Sequence, residues 1–359
     1  MTSVTQSLDK SQSTRQARSG LPPRSLGFDY QMMVLGAFIV LGEFLDGWAH
    51  NHGQVDESFF TPWHGILYGG YALAGARLVL KHFNNVGRGY RWLTALPQGY
   101  MLSLLGVLVF GMAGLGDMLW HTAFGIEENI EALLSPSHIS LLIGALLIFT
   151  GPLRAAWADA SPGLQTGWRA LAPAILGATG VMAMLSFFMA FGYFTEDFAY
   201  LVGSRPSGWR QLIDAMGVLA LLIPTMLLMA HVLFLRRRWR LPFGTVTFML
   251  CAVIALMTWF SLDHSREFLV LIPMALAGLI GDSLLWRFSA TGQSLWLRLM
   301  GFVTPFAVVI FFMVFAQWLE GRELWWQIHM WLGTPVLAGL LGFLLTFLAF
   351  PPVVPSVAD

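Results

Sequence analysis

The sequence predicts an all-α, polytopic integral membrane bundle of about ten transmembrane helices, built from repeated hairpins, with both termini cytoplasmic. Three observations carry this expectation. Of 359 residues, 56% are hydrophobic and only 11% charged, less than half the roughly 25% charged residues of a soluble domain. Apolar runs of about twenty residues, long enough to cross the bilayer core as helix, recur ten times between turn signals. Lys and Arg gather in alternate connections, as the positive-inside rule requires of a chain that crosses ten times. The same figures exclude other classes. Twenty cations balance twenty acids, which leaves no basic face for nucleic acid. A single cysteine, Cys251, rules out a disulfide framework and a cysteine-based zinc module.

In chain order, residues 1–28 are polar and rich in Ser, Thr and Gln. They have no apolar run beside a cleavage site, so they read as a disordered cytoplasmic tail rather than a signal peptide. The membrane domain covers 29–350, and 351–359 form a short C-terminal tail. The first span, 30–49, closes on Asp46 and His50, and the second, 62–80, opens on Thr61-Pro62. The third, 98–119, ends at Asp117 and carries Gly111–Gly116, small residues suited to close helix packing. The fourth, 136–157, opens on Ser135-Pro136. The fifth is 170–194, and the sixth, 211–235, ends at the topology anchor Arg236-Arg237-Arg238. The seventh, 243–262, holds Cys251 mid-span. The last three are 267–286, 296–319 and 328–350. Pro152, Pro173, Pro224, Pro273, Pro305 and Pro335 interrupt spans without acidic neighbours at the midplane, which disfavours a translocation pathway.

The few polar residues are sorted by side. Sixteen of the twenty Lys and Arg fall in the N-terminal tail or in the second, fourth, sixth and eighth connections; only Arg205, Arg210, Arg266 and Arg322 fall on the other side. Fifteen of the twenty acids lie at or near the outer ends, as do seven of nine histidines. Ionisable residues in a membrane are costly and usually functional, so the outer face is where function is expected.

An internal repeat locates it. Residues 46–64 read DGWAHNHGQVDESFFTPWH and residues 117–138 read DMLWHTAFGIEENIEALLSPSH. Each begins with Asp and has His four residues later, one helical turn on and on the same face. An acidic loop follows, then a hydroxyl N-cap with proline at the first helical position, then a His in the first turn of the returning helix. Hairpins 30–80 and 98–157 thus each bring a carboxylate and two imidazoles to one depth: Asp46, His50 and His64, and Asp117, His121 and His138. Later hairpins carry weaker versions: Glu196, Asp197 and Asp214; Asp263, His264 and Glu267; Gln317, Glu320, Glu323 and His329.

Two imidazoles and a carboxylate suit copper, zinc or non-haem iron, and the ligand types alone do not choose among them. The same groups also suit a proton relay or plain hydrogen-bonded clamps between helix ends. Cys251 is far from the motif in sequence, and Met112, Met118 and Met182 read as packing. Glu57, Glu127 and Glu128 are candidates for supporting the ligands or handling protons.

The run Asp117-x2-Trp120-His121-Thr122, Glu127-Glu128, Ser135-Pro136-Ser137-His138 resembles the metal-site hairpin of the C subunit of copper membrane monooxygenases, the particulate methane and ammonia monooxygenases. Asp46, His50, Asp56 and Phe60-Thr61-Pro62-Trp63-His64 are similar to it as well. The likeness spans about residues 42–145 of the 359, with Asp117 where the family often has Asn. The resemblance implies copper held by Asp46, His50 and His64 and by Asp117, His121 and His138, with partner membrane subunits. It further implies dioxygen activation at the outer face of a bacterial plasma membrane and a small apolar substrate arriving through the lipid past Trp48, Trp63, Trp120 and Phe124. Three alternatives stand beside it: a non-catalytic copper-handling or insertion protein, a zinc-type membrane hydrolase, and a purely structural bundle.

Overall fold

The computed structural model describes residues 18, 20–54, 61–125, 130–159, 167–194, 201, 208, 210–261 and 265–352. Among them helix is the only extended secondary structure, beside one isolated bridge between Arg18 and Tyr90. The helices are α1 (Leu26–Asn51), α2 (Pro62–Gly87), α3 (Tyr100–Phe124), the short α4 (Ile130–Leu134), α5 (Pro136–Phe149), α6 (Gly151–Ala158), α7 (Trp168–Phe188), α8 (Arg210–Arg238), α9 (Thr245–Phe260), α10 (Leu271–Thr291), α11 (Ser294–Glu320) and α12 (Ile328–Ala349). Among the described residues, seven helical segments are long and apolar enough to cross a membrane, or eight when the bent α5–α6 pair counts as one. The molecule is therefore a multi-pass membrane protein.

Every segment read as a span contains helix, but two fall short of a span by length or composition. Helix α2 runs to Gly87, past the expected end at 80, and carries His64, Arg77, Lys81 and His82. Its cations lie over the Phe28 ring, Arg77 at 4.7 Å and Lys81 at 5.4 Å from the centroid, so the helix continues beyond its apolar stretch by resting charged heads on an aromatic face. Helix α9 has 16 residues, about 24 Å of helix, short of the ~30 Å hydrocarbon core. The fifth expected segment, 170–194, is helix only to Phe188, followed by a 3-10 turn at Ala190–Gly192. Helix α1 begins at Leu26, four residues ahead of the expected span start at 30, and Arg24 is bonded to Asp29 at 2.6 Å.

Small residues set the closest helix crossings. A Cβ on Gly42 of α1 would lie 2.8 Å from the Leu67 Cα of α2, and one on Gly144 of α5 would lie 2.7 Å from the Phe110 backbone nitrogen of α3. Glycine at these points lets backbones approach in a setting where packing, not apolar burial, drives helix association. The two hairpins α1–α2 and α3–α5 meet through α2 and α3, with Tyr71 on α2 donating to the Val107 carbonyl on α3 at 2.9 Å.

The cations gather at one end. Arg24 bridges Asp29 and Asp159, Arg238 donates to the Asp159 carbonyl, Arg236 stacks on Phe288, and Arg298 donates to the Phe350 carbonyl. This end holds the start of α1 and the ends of α2, α6, α8, α10 and α12. The repeated Asp/His motifs occupy the opposite end.

Candidate metal centre

In the first hairpin, Asp46 and His50 sit one turn apart in the last turns of α1. The Thr61 hydroxyl caps α2 by accepting from the His64 backbone N–H at 3.1 Å, with Pro62 at the first helical position. That cap fixes the first turn of α2, and the Gly42–Leu67 crossing holds the turn against α1. The result places His64 Nε2 3.2 Å and His50 Nε2 3.9 Å from the same carboxylate oxygen, Asp46 Oδ2.

The second hairpin repeats this construction. Ser135 caps α5 by accepting from the His138 N–H at 3.3 Å. His121 Nε2 and His138 Nε2 lie 3.5 and 3.4 Å from Asp117 Oδ1, and Asp117 is only 1% exposed. The far ring nitrogens are tied back: His138 Nδ1 lies 2.8 Å from the Ser135 hydroxyl and His121 Nδ1 3.4 Å from the Gly125 carbonyl. When Nδ1 carries the proton and donates to these oxygens, each Nε2 presents a lone pair toward Asp117. This is the usual arrangement of metal-binding imidazoles.

Within each triad one ligand atom per residue lies within 4.8 Å of the others. Metal–ligand bonds of about 2.0–2.2 Å place tetrahedral ligand atoms about 3.3–3.6 Å apart, close to the observed carboxylate–imidazole separations. Asp46 Oδ1 and Asp117 Oδ1 are buried and receive no hydrogen bond of good geometry. A cation bound by each triad would give these buried oxygens a charged partner. The donor set has two nitrogens and one oxygen and no sulfur; Cys251 lies within α9, and Met112 is 75% exposed. These residues fit a borderline first-row transition metal better than calcium or magnesium, which require oxygen ligands.

The two triads lie close together. His50 in the first is within electrostatic reach of both His121 and His138 in the second. Beneath them lies a residue that the motif passes over. Glu43, one turn inward of Asp46 on the same helix face, interacts with Asp46, His64 and Asp117. The repeat, read from Asp46 onward, gives Glu43 no counterpart; the only sequence signal is its spacing of three from Asp46.

The remaining expectations divide. Glu57, Glu127 and Glu128 lie outside the described residues, as do Asp56, Glu196, Asp197, Asp263 and His264. His52 turns from the centre, stacking on Trp48 at 4.8 Å with Nδ1 2.8 Å from the Trp48 carbonyl. Glu320, Glu323 and His329 are exposed, and among the described residues no further triad forms. Trp48 packs edge-on to Trp63 at 6.1 Å, and Trp120 lies against Phe124 at 4.6 Å, with Phe124 72% exposed. These rings flank the centre. No protein-family model, curated protein or solved structure matches the chain.

Proposed function

We propose that the protein is a membrane metalloprotein that binds copper at the paired Asp/His/His centre on the outer face, as a relative of the C subunit of copper membrane monooxygenases. The observation that carries this is the convergence of four Nε2 atoms on two carboxylates, Asp46 half-buried and Asp117 buried. Nitrogen–oxygen sites of this kind bind Cu(II) more tightly than other divalent first-row ions, which favours copper over zinc or iron. Ten crossings with both termini cytoplasmic would follow from the cation distribution and would turn the motif end outward.

In this reading each residue has a task. Asp46 and Asp117 supply the charge that draws and holds the cation. The tied Nδ1 atoms of His121 and His138 fix ring orientation. The aromatic pairs Trp48–Trp63 and Trp120–Phe124 offer an apolar rim to a small substrate arriving from the lipid. Bound copper would supply dioxygen activation, and partner membrane subunits would complete the enzyme.

Metal analysis of detergent-purified protein tests the reading. Wild type should carry copper, and His121→Ala with His138→Ala should lose the share held by the second triad. Wild-type protein that takes up no transition metal would end it, and zinc in place of copper would favour hydrolysis. Oxygen-dependent turnover of a small apolar substrate separates an enzyme from a copper-handling protein.

A further inference from the structure

Helices α1, α7 and α9 enclose a groove of about 160 Å³, walled by Ala37, Leu41, Gly180, Ala183 and Ala252, with the buried Phe149 of α5 at its floor. Glycines admit that ring between the helices. A Cβ on Gly36 would lie 2.7 Å from the Phe149 Cβ, and one on Gly180 3.1 Å from the ring. Thr179 is the one polar side chain in the wall. Its hydroxyl donates to the Ile175 carbonyl at 2.8 Å, so the wall offers water no partner. Phe44, Phe187 and Phe260, each one turn beyond a wall residue, close the end nearer the triads. Phe187 lies 5.1 Å from Phe44 and 5.0 Å from Phe260 between centroids.

The groove continues toward the cationic end of the bundle. Tyr30, Met33, Ala37 and Leu41 share one face of α1, and Arg169, Leu176, Gly180 and Ala183 one face of α7. Tyr30 joins the two helices by donating to the Arg169 carbonyl at 2.9 Å. Arg169 is exposed, and its guanidinium has no acidic partner among the described residues. Beside it, Trp168 donates to the Phe243 carbonyl at 2.9 Å and sets its ring 5.7 Å from that of Phe248, another wall residue. No side chain caps the start of α7, so the helix end adds to the positive field.

We propose that this groove binds one anionic phospholipid, with an acyl chain laid along α1, α7 and α9 and the phosphate at Arg169. Length and width both select this occupant. Arg169 to Ala183 is about 21 Å of helix, roughly one leaflet with its headgroup layer. The Phe44, Phe187 and Phe260 rings stop the chain at that depth. A helix from a partner, about 10 Å across, is too wide for the groove, whereas a dry cavity of about 150 Å³ accepts a ligand as slim as benzene. Cations between helix ends attract anionic headgroups, and a tryptophan such as Trp168 favours the interface that the headgroup occupies. The triads lie on a different face of α1, so the site is independent of the metal reading.

The test incubates the full chain in detergent with phosphatidylglycerol that carries a photoreactive diazirine on its acyl chain. Labelled peptides are mapped by mass spectrometry, with unlabelled phosphatidylglycerol or phosphatidylcholine as competitor. Label should concentrate on residues 33–41, 176–183 and 248–256. Phosphatidylglycerol should compete about fivefold better than phosphatidylcholine. Arg169→Gln should erase that preference while label stays in the groove. Ala252→Phe, which fills the groove, should abolish labelling there at an unchanged unfolding midpoint; if it fails to fold, Arg169→Gln decides alone.

Equal competition by the two lipids in wild type, or a preference that survives Arg169→Gln, would overturn the inference by removing the headgroup contact. Label spread evenly over all lipid-facing helices would overturn it by showing annular lipid only. A wild type that elutes as a dimer with no label in the groove, and as a monomer when Ala252→Phe is introduced, would give this face to a second copy of the chain instead.

Discussion

The Ser135 hydroxyl does two things with one oxygen. It accepts the His138 backbone N–H, starting α5, and it lies 2.8 Å from Nδ1 of the same His138, turning Nε2 toward Asp117. Its neighbour Ser137 lies 3.1 Å from it and hydrogen-bonds the Asp117 carboxylate. Helix start and ligand orientation are thus one local structure. Ser135→Ala is expected to lower stability by about 1 kcal/mol through the lost cap. It should also weaken metal binding at the second triad about ten- to a hundredfold and leave the first triad unchanged. Dialysis with metal analysis, beside thermal unfolding, reads both effects; a stability loss with unaltered metal binding would show that Ser135 does not orient His138. The six triad residues were legible because Asp-x3-His and hydroxyl-Pro-x-His occur twice at matching places. Glu43 was not, because a lone acid in an apolar run belongs to no pattern until the second hairpin is folded against it.

At the scale of elements, the bend between α5 and α6 shows how a broken helix is tolerated. The two axes differ by 44°, and Pro152 has no N–H to give to the Ile148 carbonyl one turn back. Ser103 on α3 donates to that carbonyl at 3.1 Å, and Arg154 donates to the Leu147 carbonyl at 2.8 Å. Arg154 also reaches the Ser103 hydroxyl, the Thr150 hydroxyl and the Gly99 carbonyl. Gly99 has a φ of +94°, and a Cβ there would come within 2.8 Å of the Arg154 Cβ. Only glycine meets both conditions, the left-handed backbone and the close approach. Ser103→Ala should strip the Ile148 carbonyl of its donor and reduce stability by about 1–3 kcal/mol. Metal content should not change, since the bend is remote from the triads. Thermal unfolding of the purified protein checks this, and an unaltered midpoint would mean that the bend does not depend on α3. Helix positions were legible in the sequence from apolar runs and from Thr61-Pro62 and Ser135-Pro136. The bend was legible only as a proline, because its stability comes from donors on a different helix.

For the whole molecule, the question is which way the bundle faces. The long apolar helices establish a membrane protein, but crossing number and direction depend on charge. Hydropathy alone stops short of ten spans, because α2 carries cations and histidines and α9 has only 16 residues. The charge argument is independent of both. Arg24, Arg154, Arg236, Arg238, Arg287 and Arg298 share one end, where they meet the Asp29 carboxylate of α1, the Gly99, Asp159 and Phe350 carbonyls, and the Phe288 and Trp296 rings of α10 and α11. The triads lie at the other. Cationic ends stay on the cytoplasmic side during insertion, so the centre should open outward, where a metal can arrive without crossing the bilayer. Cys251 is the only native cysteine, so a Cys251→Ala background permits single-cysteine mapping. Gly53→Cys, just past the end of α1 beside the first triad, should react with a membrane-impermeant maleimide in intact cells. Gln293→Cys, between α10 and α11 at the cationic end, should react only after permeabilisation. The reverse pattern would turn the centre to the cytoplasm, where the metal would have to come from the intracellular pool. Labelling of both in intact cells would mean that the span count between α1 and α10 is wrong by one, and that the alternation of charge does not follow the path of the chain.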